Sequence, residues 1–570
     1  MHEPGTSVNP SATEDKRLQR HIGIVGLLFS AVGSIIGSGW LFGALNAAEI
    51  AGPASVLAWS IGGVMIIFLA LCYAELGTMF PVSGGVVRFP HFAFGSFASY
   101  TLGWITWLAV ASTTSIEVLA ALQYATNYVP WLQRLEDGVP VLTGPGFVVA
   151  VAMLALFSLV NVIGIRWFAR LNNAMVWWKL VIIVVVIVAF LFTAFEGSNF
   201  AGGVTDHVDA RGFMPFGWSG VFASIATAGI VFSYLGFRQG VELAGETDNP
   251  QRNVPIAVIG SVLVTGVIYV ALQIAFIGAL QPKDLVNGWA HIGTSFSGGV
   301  DHIAAAYGPL AALSLKLGLV WLAVLLYIDA FISPADTGLI YTTVTARISY
   351  AMGRNGNAPA VLAKVNHRGV PWVSVILTFF AGIVFLLPFP GWQKLVGFVT
   401  SATVLSFGSG PLALYAMRRQ LPDQKRPFRL PAATLLTYLG FLSSNLIVYW
   451  SGWDIVWKLM IAVLIGYVVL VIHELGNRGK TPDLELRSGA WVLVWLGGLT
   501  LISWLGEYPA LGKHAGNLGV IGLGWALVVV AVFSLLVMWL ATSMRLPPER
   551  VEQHLREPAP GKPVLTEPGP

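Results

Sequence analysis

Stretches of about twenty predominantly apolar residues, each long enough to cross roughly 30 Å of hydrocarbon as a helix, recur along this chain from residue 24 to residue 541. Fourteen can be placed, at roughly 24–45, 53–80, 93–127, 146–166, 173–195, 217–245, 254–279, 310–350, 371–389, 392–417, 432–451, 454–473, 489–507 and 516–541. Of the 570 residues, 56% are hydrophobic and 11% charged, against about 25% charged in an ordinary soluble domain. That balance excludes a water-soluble fold. It predicts an all-α integral membrane protein, because a helix satisfies its own backbone where no water can reach it.

Only the ends are polar. Residues 1–22 carry Glu14, Asp15, Lys16, Arg17 and Arg20; with no short apolar core followed by a small-residue cleavage site, no removable signal peptide is expected. Residues 543–570 are rich in Pro, Glu and Arg without periodicity and are expected to be disordered. The single cysteine, Cys72, excludes an intrachain disulfide and a cysteine metal site. The net charge of +4 points to no nucleic-acid partner, since in a membrane protein the placement of Lys and Arg matters more than their sum.

That placement sets orientation. Loops on the N-terminal side hold Lys16, Arg17, Arg20, Arg88, Arg166, Arg170, Arg252, Arg347, Arg354, Lys364, Arg368, Arg418, Arg419, Lys425, Arg426, Arg429, Arg478, Lys480 and Arg487, and the tail on that side holds Arg545, Arg550, Arg556 and Lys562. The opposite side shows only Arg134, Arg211, Lys283, Lys394 and Lys513. An even number of spans and basic residues retained inside predict that both termini are cytoplasmic. Tyr128 to Trp131 and Tyr449 to Trp453 read as aromatic anchors at the headgroup level.

Two spans are interrupted by small or polar residues. The first carries Gly33-Ser34-Ile35-Ile36-Gly37-Ser38-Gly39-Trp40, and each glycine costs about 1 kcal/mol against alanine in a helix. Gly33 and Gly37 also fit a small-residue packing face. The sixth carries Phe232-Ser233-Tyr234-Leu235-Gly236-Phe237 followed by Arg238-Gln239-Gly240. Paired interruptions at corresponding positions of two five-helix halves are the sequence pointer to an inverted-repeat binding site. A helix restarting after Gly39 offers backbone N–H groups at its positive end to a carboxylate, and unwound carbonyls near Phe232 and Ser233 can accept from an ammonium. Ile36, Gly37, Ser38, Gly39 and Phe232, Ser233, Tyr234, Leu235, Gly236 are therefore the candidate substrate residues, and an α-amino acid the candidate substrate.

At these motifs the chain resembles the amino acid-polyamine-organocation superfamily. The resemblance rests on Gly37-Ser38-Gly39-Trp40-Leu41-Phe42-Gly43, on residues 244–257 beginning Ala-Gly-Glu-Thr-Asp-Asn-Pro, and on residues 346–359 and 364–371. Tyr73-Ala74-Glu75-Leu76-Gly77, Ser115-Ile116-Glu117-Val118, Leu387 to Trp392 and Ile447 to Trp453 look like the bacterial aspartate-proton symporter branch. The resemblance implies a five-plus-five inverted-repeat core over residues 23–420, four additional helices over 430–542, the bacterial inner membrane, and proton-driven uptake of aspartate or glutamate without a cofactor. One departure stands out: the acid frequent in the family after Gly-Phe is Arg238 here.

Ionisable groups inside spans are functional candidates by default, since each costs at least about 2.5–3.5 kcal/mol to insert. The resemblance implies that Lys179 occupies the place taken by sodium in sodium-coupled relatives, between the first and eighth helices, where desolvation would let it exchange a proton. The plainer reading is a lysine snorkelling to the cytoplasmic interface. Glu117, beside Ser112, Thr113, Thr114 and Ser115, is either a structural carboxyl or a carrier of the coupled proton; aspartate transport would require it neutral, paired or turned away. Asp329 and Asp336 flank Pro334, which should disturb the eighth helix, and lie on one face as polar contacts within the bundle. Lys316 and Lys458 read as snorkelling. A membrane enzyme is disfavoured, since no His-Glu zinc motif occurs among the ten histidines, and so is an amino-acid sensor, since the tail is too short for an added signalling domain; an amino-acid exchanger of the same fold for neutral or other amino acids remains the alternative to a symporter.

Overall fold

The computed structural model describes residues 22–82, 84–136, 138–163, 168–201, 212–295, 297–298, 303–354, 358–366, 369–476, 484–511 and 516–556. Residues 1–21, the tail beyond 556, and the orienting residues Arg166, Arg211, Arg368, Arg478, Lys480 and Lys513 lie outside the described residues.

The chain runs through α1 (Ile24–Ile35), α2 (Gly39–Ala51), α3 (Ser55–Met79), α4 (Gly85–Phe94), α5 (Ser96–Ala125), α6 (Gly144–Ile163), α7 (Phe168–Thr193) and α8 (Gly217–Thr227). It continues through α9 (Pro250–Ala279), α10 (Pro309–Lys316), α11 (Val320–Arg354), α12 (Trp372–Leu386), α13 (Trp392–Phe407) and α14 (Ser409–Gln420). Last come α15 (Ala433–Trp450), α16 (Trp453–Gly476), α17 (Trp491–Leu505), α18 (Leu523–Ser543) and α19 (Pro548–Arg556), with shorter helical turns between. Among the described residues the only strands are two small antiparallel hairpins, Gln133–Glu136 with Val139–Leu142 and Ser297–Gly298 with Ile303–Ala304.

Each of the fourteen expected segments falls on helix. By length and apolar composition eleven described helices qualify as spans, or twelve if α8 and the bent continuation Phe232–Glu242 count as one. The difference from fourteen has two causes. The helix α12, at 15 residues, is short, and Gly39–Met79 is one apolar run of 41 residues. A straight helix of that length would reach about 60 Å, twice the hydrocarbon thickness. Gly52, at φ 61°, ends α2, and a turn at Gly52–Ala54 separates it from α3, so the run holds two segments.

Burial sorts the helices. The most apolar stretches of α5 and of α13 with α14 are 94% and 100% buried, whereas those of α6 and α18 are 28% buried and expose residues such as Val148 and Trp525. The helix α5 packs against α11 and α13, and α9 packs against α1 and α3. The helices after Leu430 are tied to this centre: α15 packs on α3 and α18, Trp450 stacks on Phe222 at 4.4 Å, and Asn445 accepts from Trp495 Nε1 (2.7 Å) and donates to Ser534 (2.8 Å).

Four expectations need correction. Tyr128 and Trp131 are exposed as anchors should be, but Tyr449 and Trp450 are buried. The eighth span continues through Pro334 as one helix. Lys316 and Lys458 are ion-paired, with Asp284 and with Asp454 (2.8 Å) respectively. The tail is not wholly disordered, because α19 buries Val551 and Leu555, four residues apart on one helix face.

Candidate functional site

The first span breaks where its small residues predict. Helix α1 stops at Ile35, Ile36 leaves helical geometry, and α2 restarts at Gly39. In the sixth span the break lies one step earlier than expected. Helix α8 ends at Thr227, and Phe232–Arg238 winds as a 3-10 helix, so the irregular backbone is residues 228–231 rather than Phe232 and Ser233. The end of α1 meets the 3-10 segment that follows the sixth-span break: a Cβ at Gly236 would sit 2.2 Å from Ile35 N and Ser34 C. Only glycine permits that approach.

A small, partly open cavity lies at this junction. Of the candidate residues, Gly37, Phe232, Leu235 and Glu117 line it. Ile36, Ser38, Gly39, Ser233, Tyr234 and Gly236 do not, although all are buried. Tyr234 points its hydroxyl to Trp59 O (3.2 Å). Gly33 serves packing, because a Cβ there would meet Val176 Cγ2 at 2.5 Å.

Glu117 is fully buried, and its carboxyl accepts from the Ser38 N–H (3.1 Å to Oε2, 3.4 Å to Oε1). It thus covers one of the backbone donors at the positive end of α2. Ser38 Oγ accepts from Trp392 Nε1 (2.9 Å), which closes the other flank of the break.

Lys179 is fully buried, which rules out snorkelling. Its Nζ donates to Asp336 Oδ2 (2.6 Å), Thr337 Oγ1 (3.3 Å) and Gly33 O (3.4 Å). One ammonium therefore joins α1, α7 and α11, next to the break. Asp336 Oδ1 is buried with no hydrogen-bond partner among the described residues. Asp329 accepts from Trp178 Nε1 (2.9 Å) and from Ser333 (2.9 Å), so both aspartates meet neighbouring residues of α7. Among the described residues no cluster of His, Cys, Asp and Glu could hold a metal ion.

This arrangement of broken helices around a polar cavity can be set beside known proteins. The amino acid permease family profile matches residues 26–484. The chain belongs to the amino acid permease family. Among its relatives, the glutamate/serine transporter AimA of Bacillus subtilis is 36% identical over 91% of this chain and 93% of that protein. The aspartate-proton symporter of the same organism is 34% identical over 94% of this chain and 98% of its own length. The branched-chain amino acid permease BcaP of that species is 27% identical over 81% of this chain. This permease is thus a multi-pass membrane protein of an amino-acid transport family.

Its cavity also contains residues that sequence reasoning missed: Thr113, Thr337, Tyr341, Val399 and Thr403, with Ser34 and Ile35. A signal existed for some of them. Thr113 lies four residues before Glu117, and Thr337 follows Asp336 directly.

Proposed function

We propose that this permease imports an acidic amino acid, aspartate or glutamate, together with a proton. The observation that carries the reading is Lys179, a buried ammonium linking the end of α1 to Asp336 and Thr337 of α11. It stands where a cation can hold the first and eighth helices together, and losing its proton would release that hold. Support for the substrate comes from the two relatives named for glutamate, serine and aspartate.

In this reading residues 23–420 form a five-plus-five inverted repeat, with the termini in the cytoplasm of a bacterium and the site between the broken helices. The α-carboxylate binds backbone N–H groups around Ser38, and the ammonium binds carbonyls at the sixth-span break. Glu117 and the incoming α-carboxylate compete for the same donor. A carboxylate is a stronger acceptor than a neutral carboxyl, so protonation of Glu117 frees the Ser38 N–H and removes a repelling charge as substrate arrives. Proton and substrate are coupled through one hydrogen bond, and Lys179 couples the same event to the α1–α11 contact.

The test is uptake of labelled aspartate into proteoliposomes under an inward proton gradient with no sodium. Accumulation above the external concentration is expected. A sodium requirement, or no response to the gradient, would sink the symport reading. Uptake only against preloaded amino acid would make the protein an exchanger.

A further inference from the structure

We propose that Arg238 receives the side-chain carboxylate of a dicarboxylic substrate and so sets the preference for acidic over neutral amino acids; this rests on the site assigned above. In a 3-10 helix residues three apart eclipse, and each turn advances about 6 Å. Phe232, Leu235 and Arg238 therefore stack on one face of Phe232–Arg238, and the first two line the cavity. Arg238 extends that lining face by one turn.

The charge of Arg238 is available. Its side chain is 2% exposed, and both terminal guanidinium nitrogens are buried without a hydrogen-bond partner among the described residues. Buried donors left without acceptors are unfavourable, and a guanidinium fork matches a carboxylate in two parallel hydrogen bonds. Tyr341, which lines the cavity, and Tyr73 and Glu242 lie within its electrostatic reach. No ion pair to Arg238 within 4 Å occurs among the described residues.

Among the described residues no other cation faces the cavity. The cavity lining contains no Lys or Arg and one acid, Glu117. Lys179 is engaged by Asp336. A substrate whose α-carboxylate lies at the α1–α2 break would, without Arg238, carry its second carboxylate into a site with no free positive charge.

The experiment measures kcat/KM for aspartate and for its neutral isostere asparagine in proteoliposomes of wild type, Arg238→Gln and Arg238→Lys. The expected result is a fall of at least tenfold in the aspartate-to-asparagine ratio for Arg238→Gln and a smaller fall for Arg238→Lys. An unchanged ratio in Arg238→Gln would overturn the proposal. Should the variants not fold, competition in wild type decides: aspartate must inhibit at least tenfold better than asparagine, and equal inhibition would overturn it. Proton-driven uptake of neutral amino acids with aspartate ineffective would remove Arg238's role and leave the symport reading standing. Loss of proton dependence with the aspartate preference intact would do the reverse, and no uptake of any amino acid would remove both.

Discussion

Glu75 and Asp336 are both fully buried, and each faces a basic side chain. Around Glu75 both oxygens are used: Arg418 donates Nε to Oε1 (2.9 Å) and NH2 to Oε2 (2.5 Å), Leu430 N–H donates to Oε2 (2.7 Å), and Arg426 lies 3.5 Å from Oε1. This network joins α3, α14 and the strand of chain leading to α15. Around Asp336 one oxygen takes Lys179, and the other has no partner among the described residues. A carboxylate with both oxygens hydrogen-bonded has one low-energy arrangement and serves to fix structure. A half-satisfied one leaves an acceptor ready for a proton, a water or a moved side chain, which is what an alternating transporter needs at its centre.

The largest expected effect comes from breaking the under-satisfied pair. Removing one partner of a buried pair costs about 3–5 kcal/mol, and at about 1.4 kcal/mol per tenfold Lys179→Ala should lower proton-driven uptake by two orders of magnitude or more. Uptake within a few-fold of wild type would end its coupling role. Glu75→Ala should cost a comparable amount of stability, about 3–5 kcal/mol, read as a lower unfolding temperature in detergent. The molecules that remain folded should keep their KM, and a large KM change there would erase the contrast between the two sites.

Gly37→Ala would place a Cβ 2.7 Å from Glu117 Oε1 and 3.2 Å from Thr337 Cγ2. Overpacking of this kind costs about 1–3 kcal/mol, so KM should rise about tenfold, whereas an unchanged KM would place substrate away from the break.

The smallest effect concerns α19. Glu485 Oε1 accepts from Arg550 (3.0 Å) and lies 3.2 Å from His554 Nε2, and the His554 ring meets His91 edge-on at 4.5 Å. Burial first, and then the neighbouring His554, push His91 down from 6.5 to about 4. Although burial opposes it, the His554 contact, the Ser96 N–H and Arg550 hold Glu485 below its ordinary range. A group that binds its proton more readily when released favours docking at higher pH. The His91 contribution is thus present above about 6.5 and weakens as pH falls toward 4, while that of Glu485 fades only below its ordinary 4.5. Hydrogen-exchange protection of residues 548–556, taken relative to the intrinsic rate at each pH, should be weaker at pH 5 than at pH 7.5, and equal protection would show that these groups do not hold the helix.

Much of this was legible from local pattern. Gly37-Ser38-Gly39 marks its break because small residues weaken a helix whatever surrounds it, and Lys179 marks itself because a charge in an apolar run needs a partner. The spacing of Val551 and Leu555 was also there to read, though the polar composition of the tail hid it. The partners were not legible. Lys179 and Asp336 are 157 residues apart, Ser38 and Glu117 79, and Trp392 and Ser38 354, and no local period links such positions.

The sequence by itself determined that this chain is an all-α membrane protein with two interrupted helices and a small set of charges that had to be functional or paired. Hydropathy, helix propensity and the cost of burying charge are properties of neighbouring residues, so they can be read along the chain. Only the tertiary structure decided that Glu117 covers the donor at α2, that Lys179 is hydrogen-bonded to Asp336 while the terminal nitrogens of Arg238 meet no acceptor among the described residues, and that Thr113, Tyr341 and Thr403 complete the cavity. Those outcomes depend on which helix faces meet, and packing between distant segments decides that.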